Sequence, residues 1–399
     1  MLSALQWPFE EQTVFLTAFE RGSPRLPQPV YSENDLAAER AALEKLILDC
    51  GHDHPVADFL RRTAESCLLA ARMLESIGTP EFGEIAQRLY GNPKSAIRQG
   101  STTVLEAAEH FIEHTERLAA SCHHEDADYC VTPTTVADAI RAESDRIFGA
   151  GEVAVVLDPT LSSKAAAGSA RVRVRDATCF SQEDIAQLIE HELAVHTLTA
   201  RNGRRQPHVR CLELGAPRTT ATQEGLAVLA ELVTGAMDLD RLRRIALRPK
   251  ALQMALDGAD FIQVFEYFVE AGQSPDESYQ STYRVFRGGD VRGGVVFPKD
   301  GVYLLGLLAV YCFLRKSLEE GRIDSLSHLF AGRMTLHDVL SLRPHFLDGT
   351  LLGPASLPRW AESSTRLAAY LAHAEFTHGI DLEDLSLPDV AAVVEPSHS

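Results

Sequence analysis

The segment IEHELAVHTL, residues 189–198, carries His191, Glu192 and His196 on one short run. Two imidazoles and a carboxylate are the residue types that hold a zinc ion and move a proton beside it. The familiar zinc pattern, H-E-x-x-H, sets its histidines at i and i+4 on one helix face. Here the pattern is H-E-x-x-x-H, with the histidines five apart. On a regular α-helix that separation is about 140°, too wide to share one ion. A π-bulge would bring both rings to the same face, and such bulges are frequent at functional sites. The spacing therefore predicts a locally widened helix if the pair binds metal. A core histidine plus a glutamate at the helix edge is the competing reading.

The surrounding residues weigh on that choice. A projection at about 100° per residue places Ile185, Leu188, Ile189, Leu193 and Val195 in one apolar arc, with Glu192 and His196 inside it. A carboxylate in an apolar arc is costly unless it is paired or metal-bound. A catalytic zinc site needs a third protein ligand, and Glu224, in TTATQEGLAVLAEL, is the candidate. Thr220 and Gln223 read as a T-x-x-Q helix start, which puts Glu224 in a first turn where the helix dipole favours its ionised form. Gly225 in that helix costs about 1 kcal/mol relative to alanine, which a close approach to the metal helix would explain.

Two rivals exist. HFIEH (His110, Glu113, His114) matches the inverted zinc pattern H-x-x-E-H. Its histidines project away from the apolar face of Val104, Leu105, Ala108, Phe111, Ile112 and Leu118, so it reads as a solvated helix face. CHHED (122–126) is metal-like in composition but lies in a polar linker.

A carboxylate ligand would need a cation to hold it, preferably a bidentate arginine. Arg284, Arg287, Arg292 and Lys299 cluster around a glycine-rich segment, and Tyr283 and Tyr303 are candidate donors to an oxyanion. RVRVR (171–175) could take up an extended peptide at a sheet edge or protect that edge by charge.

The elements that must position these groups are mostly helical. NDLAAERAALEKLILDC and PVADFLRRTAESCLLAARMLESIG carry helix start signals, and STTVLEAAEHFIEHTERLAAS reads as another amphipathic helix. EVAVVLD (152–158) and ARVRVRDA (170–177) read as strands separated by a Gly/Ser/Ala-rich loop. Residues 1–30 are expected to wrap on the surface. GVYLLGLLAVYCFL (301–314) is shorter than the roughly 20 residues of a span and is expected to be a core helix. The polar run 121–130 suggests a boundary between an N-terminal helical region, 1–125, and a second region, 126–399. The fold class expected is α+β, mostly α, with a small sheet.

A formal net charge of −18 argues against nonspecific binding to nucleic acid or to an anionic membrane. Seven cysteines without a CxxC suggest a reduced, cytoplasmic protein. MLSALQWPFEEQ lacks the basic and apolar regions of a signal peptide.

HELAVH followed by TQEGLA is similar to a family named for its QEGLA motif. Its bacterial members carry the label flavohaemoglobin expression-modulating protein, and it includes the animal microtubule-associated tyrosine carboxypeptidases, which remove a C-terminal tyrosine from tubulin. GTPEF (78–82), LYGNP (89–93), NGRRQP (202–207), YRVFRGG (283–289) and FPKDGVYLLG (297–306) extend the resemblance over most of the chain. It implies a gluzincin-like metallopeptidase core with one zinc ion on His191, His196 and Glu224. Glu192 matches the catalytic glutamate, the general base toward zinc-activated water. The implied activity is that of a zinc metallopeptidase, specifically a metallocarboxypeptidase, acting on a peptide or protein C-terminus. A non-catalytic regulatory or binding protein on the same zinc-binding fold is the alternative. The tubulin tail is strongly acidic, and an acidic chain is a poor match for it.

Overall fold

The computed structural model describes residues 2–51, 53–96, 102–121, 130–161 and 163–379. The CHHED segment and most of the expected boundary at 121–130 therefore lie outside the described residues. In chain order the helices and strands begin with α1 (Phe9–Glu20), α2 (Ala37–Asp49), α3 (Pro55–Glu75), α4 (Pro80–Tyr90), α5 (Val104–Ala119) and α6 (Pro133–Phe148). The strands β1 (Ala154–Asp158), β2 (Ala165–Ala167) and β3 (Arg171–Arg175) follow. Then come α7 (Gln182–Leu188), a π-helical segment (Ile189–Thr197) and α8 (Leu198–Arg204), which form one continuous rod. The long helices α9 (Thr220–Thr234), α10 (Leu239–Leu256), α11 (Phe261–Glu270), α12 (Pro275–Phe286) and α13 (Val302–Glu319) complete the part that matters for the site. The fold is α+β and mostly α.

The local signals explain many of these starts. Thr103 and Glu106 form a reciprocal capping box on α5, and Ser181 and Asp184 form one on α7. Pro55 and Pro133 occupy first helical positions, where the missing N–H costs nothing. One start differs from expectation. A 3₁₀ turn, Pro217–Thr219, precedes α9, and Thr219 rather than Thr220 occupies the N-cap position, without a side-chain capping bond to the helix. Glu224 consequently sits beyond the first turn, where the helix dipole has faded.

The sheet order is β1-β3-β2. β1 runs parallel to β3 (Val156 opposite Arg173), and β2 runs antiparallel to it (Ala166 opposite Arg173). RVRVR is thus the central strand, which corrects both sequence readings of it as an edge. The third strand, β2, is made of three alanines inside the expected loop. Alanine has little strand preference, so no local pattern announced it. Val172 and Val174 are fully buried and pack with Ile140, Phe180, Leu188 and Leu193, which seats the sheet against α6 and the π-helical rod.

The main core joins α9 and α13 with Val195, Leu198, Phe59 and Ala108. Gly225 and Gly306 face each other where these two helices cross, and a Cβ on either would enter the other's backbone. The close approach that requires Gly225 is therefore to α13, not to the metal helix. With its 3₁₀ lead-in, α13 spans Pro298–Glu319, long and apolar enough by length and composition to cross a membrane. Leu304, Leu307 and Val310 are buried in the core, as expected for this stretch.

Two further expectations are corrected. Residues 1–30 do not merely wrap the surface: Leu5 is fully buried and Phe15 packs edge-on against Phe261 and Phe265. Aromatic burial in α11 drew α1 into the core. The cysteines are not all reduced, since Cys130 and Cys179 form a disulfide with Cα atoms 5.3 Å apart. A backbone bridge between Val131 and Phe180 holds their neighbours side by side, a juxtaposition invisible in a 49-residue separation. Cys50, Cys67, Cys211 and Cys312 are free.

Candidate active site

The histidine spacing is resolved by the backbone. Residues Ile189–Thr197 are π-helical, and the N–H of Leu198 donates to the carbonyl of Leu193, five residues back. That i→i+5 pattern stacks positions an α-helix would splay. His191 and His196 are accordingly brought together, ring centroids 4.8 Å apart.

Helix α9 supplies the third group. Glu224 Oε2 lies 3.3 Å from His191 Nε2 and 3.6 Å from His196 Nε2. One donor atom from each of His191, His196 and Glu224 falls within 4.8 Å of the others, the sole such group of three among the described residues. Two imidazole nitrogens and one carboxylate oxygen form a donor set that fits zinc.

Behind His191 stands a residue the sequence reading passed over. His191 Nδ1 is 2.6 Å from Glu231 Oε1, and Glu231 is fully buried. Glu231 also accepts from Gln187 Nε2 and from Arg241 Nε and Nη2, each at 2.9 Å. Burial opposes its ionisation, but Arg241 and His191 hold its carboxyl far below the usual range. An ionised Glu231 can only accept, so Nδ1–H donates to it and Nε2 is left to face Glu224. Glu231 sits two helical turns after Glu224 on α9, and that i+7 spacing was the available signal.

The cluster is strongly polarised. Burial favours the neutral ring of His191, yet its hydrogen bonds to Glu224 and Glu231 outweigh this and push its pKa up to about 10. Glu224 is opposed by burial too, but the Lys299 charge and the two imidazoles keep its carboxyl well below the usual range. Lys299 Nζ lies 3.3 Å from Glu224 Oε1.

Glu192 is half-buried and has no hydrogen-bond or ion-pair partner among the described residues. Its charge bears on His191 and on Arg333. Burial lowers the pKa of Arg333, and Glu224, Glu192 and Glu213 counter that shift. Gly215 leaves room for this guanidinium, since a Cβ there would lie 2.8 Å from Nη1. Arg333 lies far along the chain in a segment with no motif, so the sequence offered no signal for it.

The remaining candidates divide. Tyr303 joins the cluster, its ring 6.4 Å from that of His191 and 5.7 Å from Lys299 Nζ. Arg284 lies nearby but is bound to Asp300, with Nη2 donating to Oδ1 at 3.0 Å. Arg287 is 3% exposed and sits over the Tyr283 and Phe297 rings. The Tyr283 hydroxyl donates to the Leu5 carbonyl at 3.4 Å and is not brought to the histidines. Arg292 is 77% exposed and pairs with Asp290. In the rival motif His110, Glu113 and His114 are all exposed, and Glu113 pairs with Arg117 at 3.0 Å.

Comparison with known proteins gives the same direction. A family model described as microtubule-associated tyrosine carboxypeptidase matches residues 15–379. Among curated proteins no similar sequence was found. The match spans nearly the whole chain and includes the π-helical rod, α9 and α13, so the chain belongs to the microtubule-associated tyrosine carboxypeptidase family and is carboxypeptidase-like.

Proposed function

We propose that the protein is a zinc-dependent metallocarboxypeptidase that releases one residue from the C-terminus of a peptide or protein. His191, His196 and Glu224 would hold one zinc ion. The observation that carries this reading is the convergence of three donor atoms within 4.8 Å, made possible by a π-helical segment. When bound, zinc would supply Lewis acidity toward water and toward the scissile carbonyl.

The rest of the chemistry belongs to the chain. Glu192 is a free carboxylate on the same rod, one residue from His191, and it serves as general base and then returns the proton to the leaving amine. Tyr303 offers an O–H beside the cluster for a developing oxyanion. Glu231 fixes the His191 tautomer and Arg241 fixes Glu231. The family description makes tyrosine the first C-terminal residue to test. On the same reading we place the protein in the cytoplasm, supported by four free cysteines; the Cys130–Cys179 pair is the observation against it.

Elemental analysis of protein purified without chelator tests the metal. Stoichiometric zinc that is lost on His191→Ala supports the proposal, and its absence removes it.

A further inference from the structure

Around Tyr303 the positive charges outnumber the negative ones. Five buried or half-buried cations, Arg241, Arg248, Arg284, Arg287 and Lys299, face three carboxylates. Glu231 takes Arg241, Asp300 takes Arg284, and Glu224 takes Lys299. Arg248 and Arg287 are left without a counter-ion. Arg287 is sealed over two rings at 3% exposure. Arg248, half-buried on α10, sits with its guanidinium carbon 4.5 Å from the Tyr303 ring centre. Its Nη1 is closed off from solvent and makes no hydrogen bond, and the guanidinium has no ion pair among the described residues.

A guanidinium in that position is costly by itself. Burial pushes its pKa down to about 10, with the Arg284 and Arg241 charges adding to the shift, and Asp300, the one carboxylate that counters it, is already bound by Arg284. Arg333, another cation near the site without an ion pair among the described residues, already has three glutamates, Glu224, Glu192 and Glu213, countering the effect of its burial.

We infer that Arg248 is the anchor for the free α-carboxylate of the substrate's C-terminal residue, gripping it as a two-toothed guanidinium–carboxylate pair. The inference rests on the carboxypeptidase reading for its substrate, but its geometry stands on Arg248 alone. Tyr303 is the ring common to both groups: the His191 ring lies 6.4 Å from it and the Arg248 guanidinium carbon 4.5 Å. A residue whose scissile carbonyl lies at the histidines presents its carboxylate only one residue further on, about 3.5 Å of extended chain. Lys299 becomes a second arm when a cation engages Glu224 in its place.

The test uses N-acetyl-tyrosine and N-acetyl-tyrosinamide as probes, titrated by calorimetry into the full chain with zinc and after chelation. Wild type should prefer the acid over the amide. Arg248→Gln should weaken acid binding by about 10- to 100-fold and abolish the preference, and Arg248→Lys should restore part of it. Without ligand, Arg248→Gln should not lower Tm, because a half-buried cation that has no ion pair among the described residues has been removed. Equal binding of acid and amide by wild type overturns the inference, as does a preference that survives in Arg248→Gln. A lower Tm for Arg248→Gln would make the residue structural and overturn it too. Acid-selective binding with no peptide hydrolysis leaves the anchor standing and removes the peptidase reading. Hydrolysis whose KM is unchanged in Arg248→Gln does the reverse.

Discussion

His191 is gripped from both sides by one helix: Glu231 lies 2.6 Å from its Nδ1 and Glu224 lies 3.3 Å from its Nε2. A carboxylate behind a metal-binding imidazole sets its tautomer and raises its basicity. Glu231→Gln should therefore weaken zinc binding by about 10- to 100-fold, measured by competition with a chromophoric chelator. It also leaves Arg241 without its carboxylate partner. Breaking such a buried pair costs about 3 kcal/mol or more, which urea denaturation should register.

The Gly225–Gly306 contact sets the position of Glu224, the preceding residue. Gly225→Ala forces a methyl into the Gly306 backbone. Overpacking of this kind costs about 1–3 kcal/mol, and the displaced α9 carries Glu224 away from the histidines. Lower Tm together with lower zinc affinity is expected. A normal zinc affinity at lowered Tm would separate the two effects.

The charges of the cluster make stability depend on pH in chelated protein. Asp300 and Glu231 have depressed pKa values, so they stabilise the fold above about pH 4.5 and lose that contribution as pH falls. His191 is raised from 6.5 to about 10, so its contribution is complete below 6.5 and disappears as pH rises through 10. The combined contribution is greatest between about pH 4.5 and 6.5. Urea midpoints across pH should show this window, and His191→Phe should flatten the alkaline limb.

The exposed HFIEH helix is expected to bind no stoichiometric metal. His110→Ala should leave zinc content unchanged, whereas His191→Ala should abolish it. Elemental analysis of both variants distinguishes the motifs, and the opposite pattern would reverse the assignment.

The sequence was most informative where local chemistry and geometry agree. The five-residue histidine spacing demanded a widened turn, and the backbone has one. The Ser181–Asp184 capping box marked the start of α7 directly. Signals that depend on distant partners were weaker. Arg248 and Glu231 look like ordinary helix residues until α9, α10 and α13 bring them around Tyr303 and His191. Gly225 announced a tight contact but not its partner. Strand β2 is held by pairing with β3 rather than by its three alanines, and the Cys130–Cys179 pair follows from a bridge between non-adjacent segments. Arg292 and Tyr283 seemed equivalent to Arg284 and Tyr303 in the chain, yet surface exposure and a bond to Leu5 direct them elsewhere.

On the proposed reading, Glu192 performs proton transfer beside a zinc ion held by His191, His196 and Glu224. Mass spectrometry of a peptide library incubated with zinc-loaded wild type and Glu192→Gln tests it most directly. Wild type should remove a single C-terminal residue. Glu192→Gln should retain one zinc per chain and be slower by about 10²- to 10⁴-fold. Undiminished cleavage by Glu192→Gln, or no cleavage by zinc-loaded wild type, would contradict it.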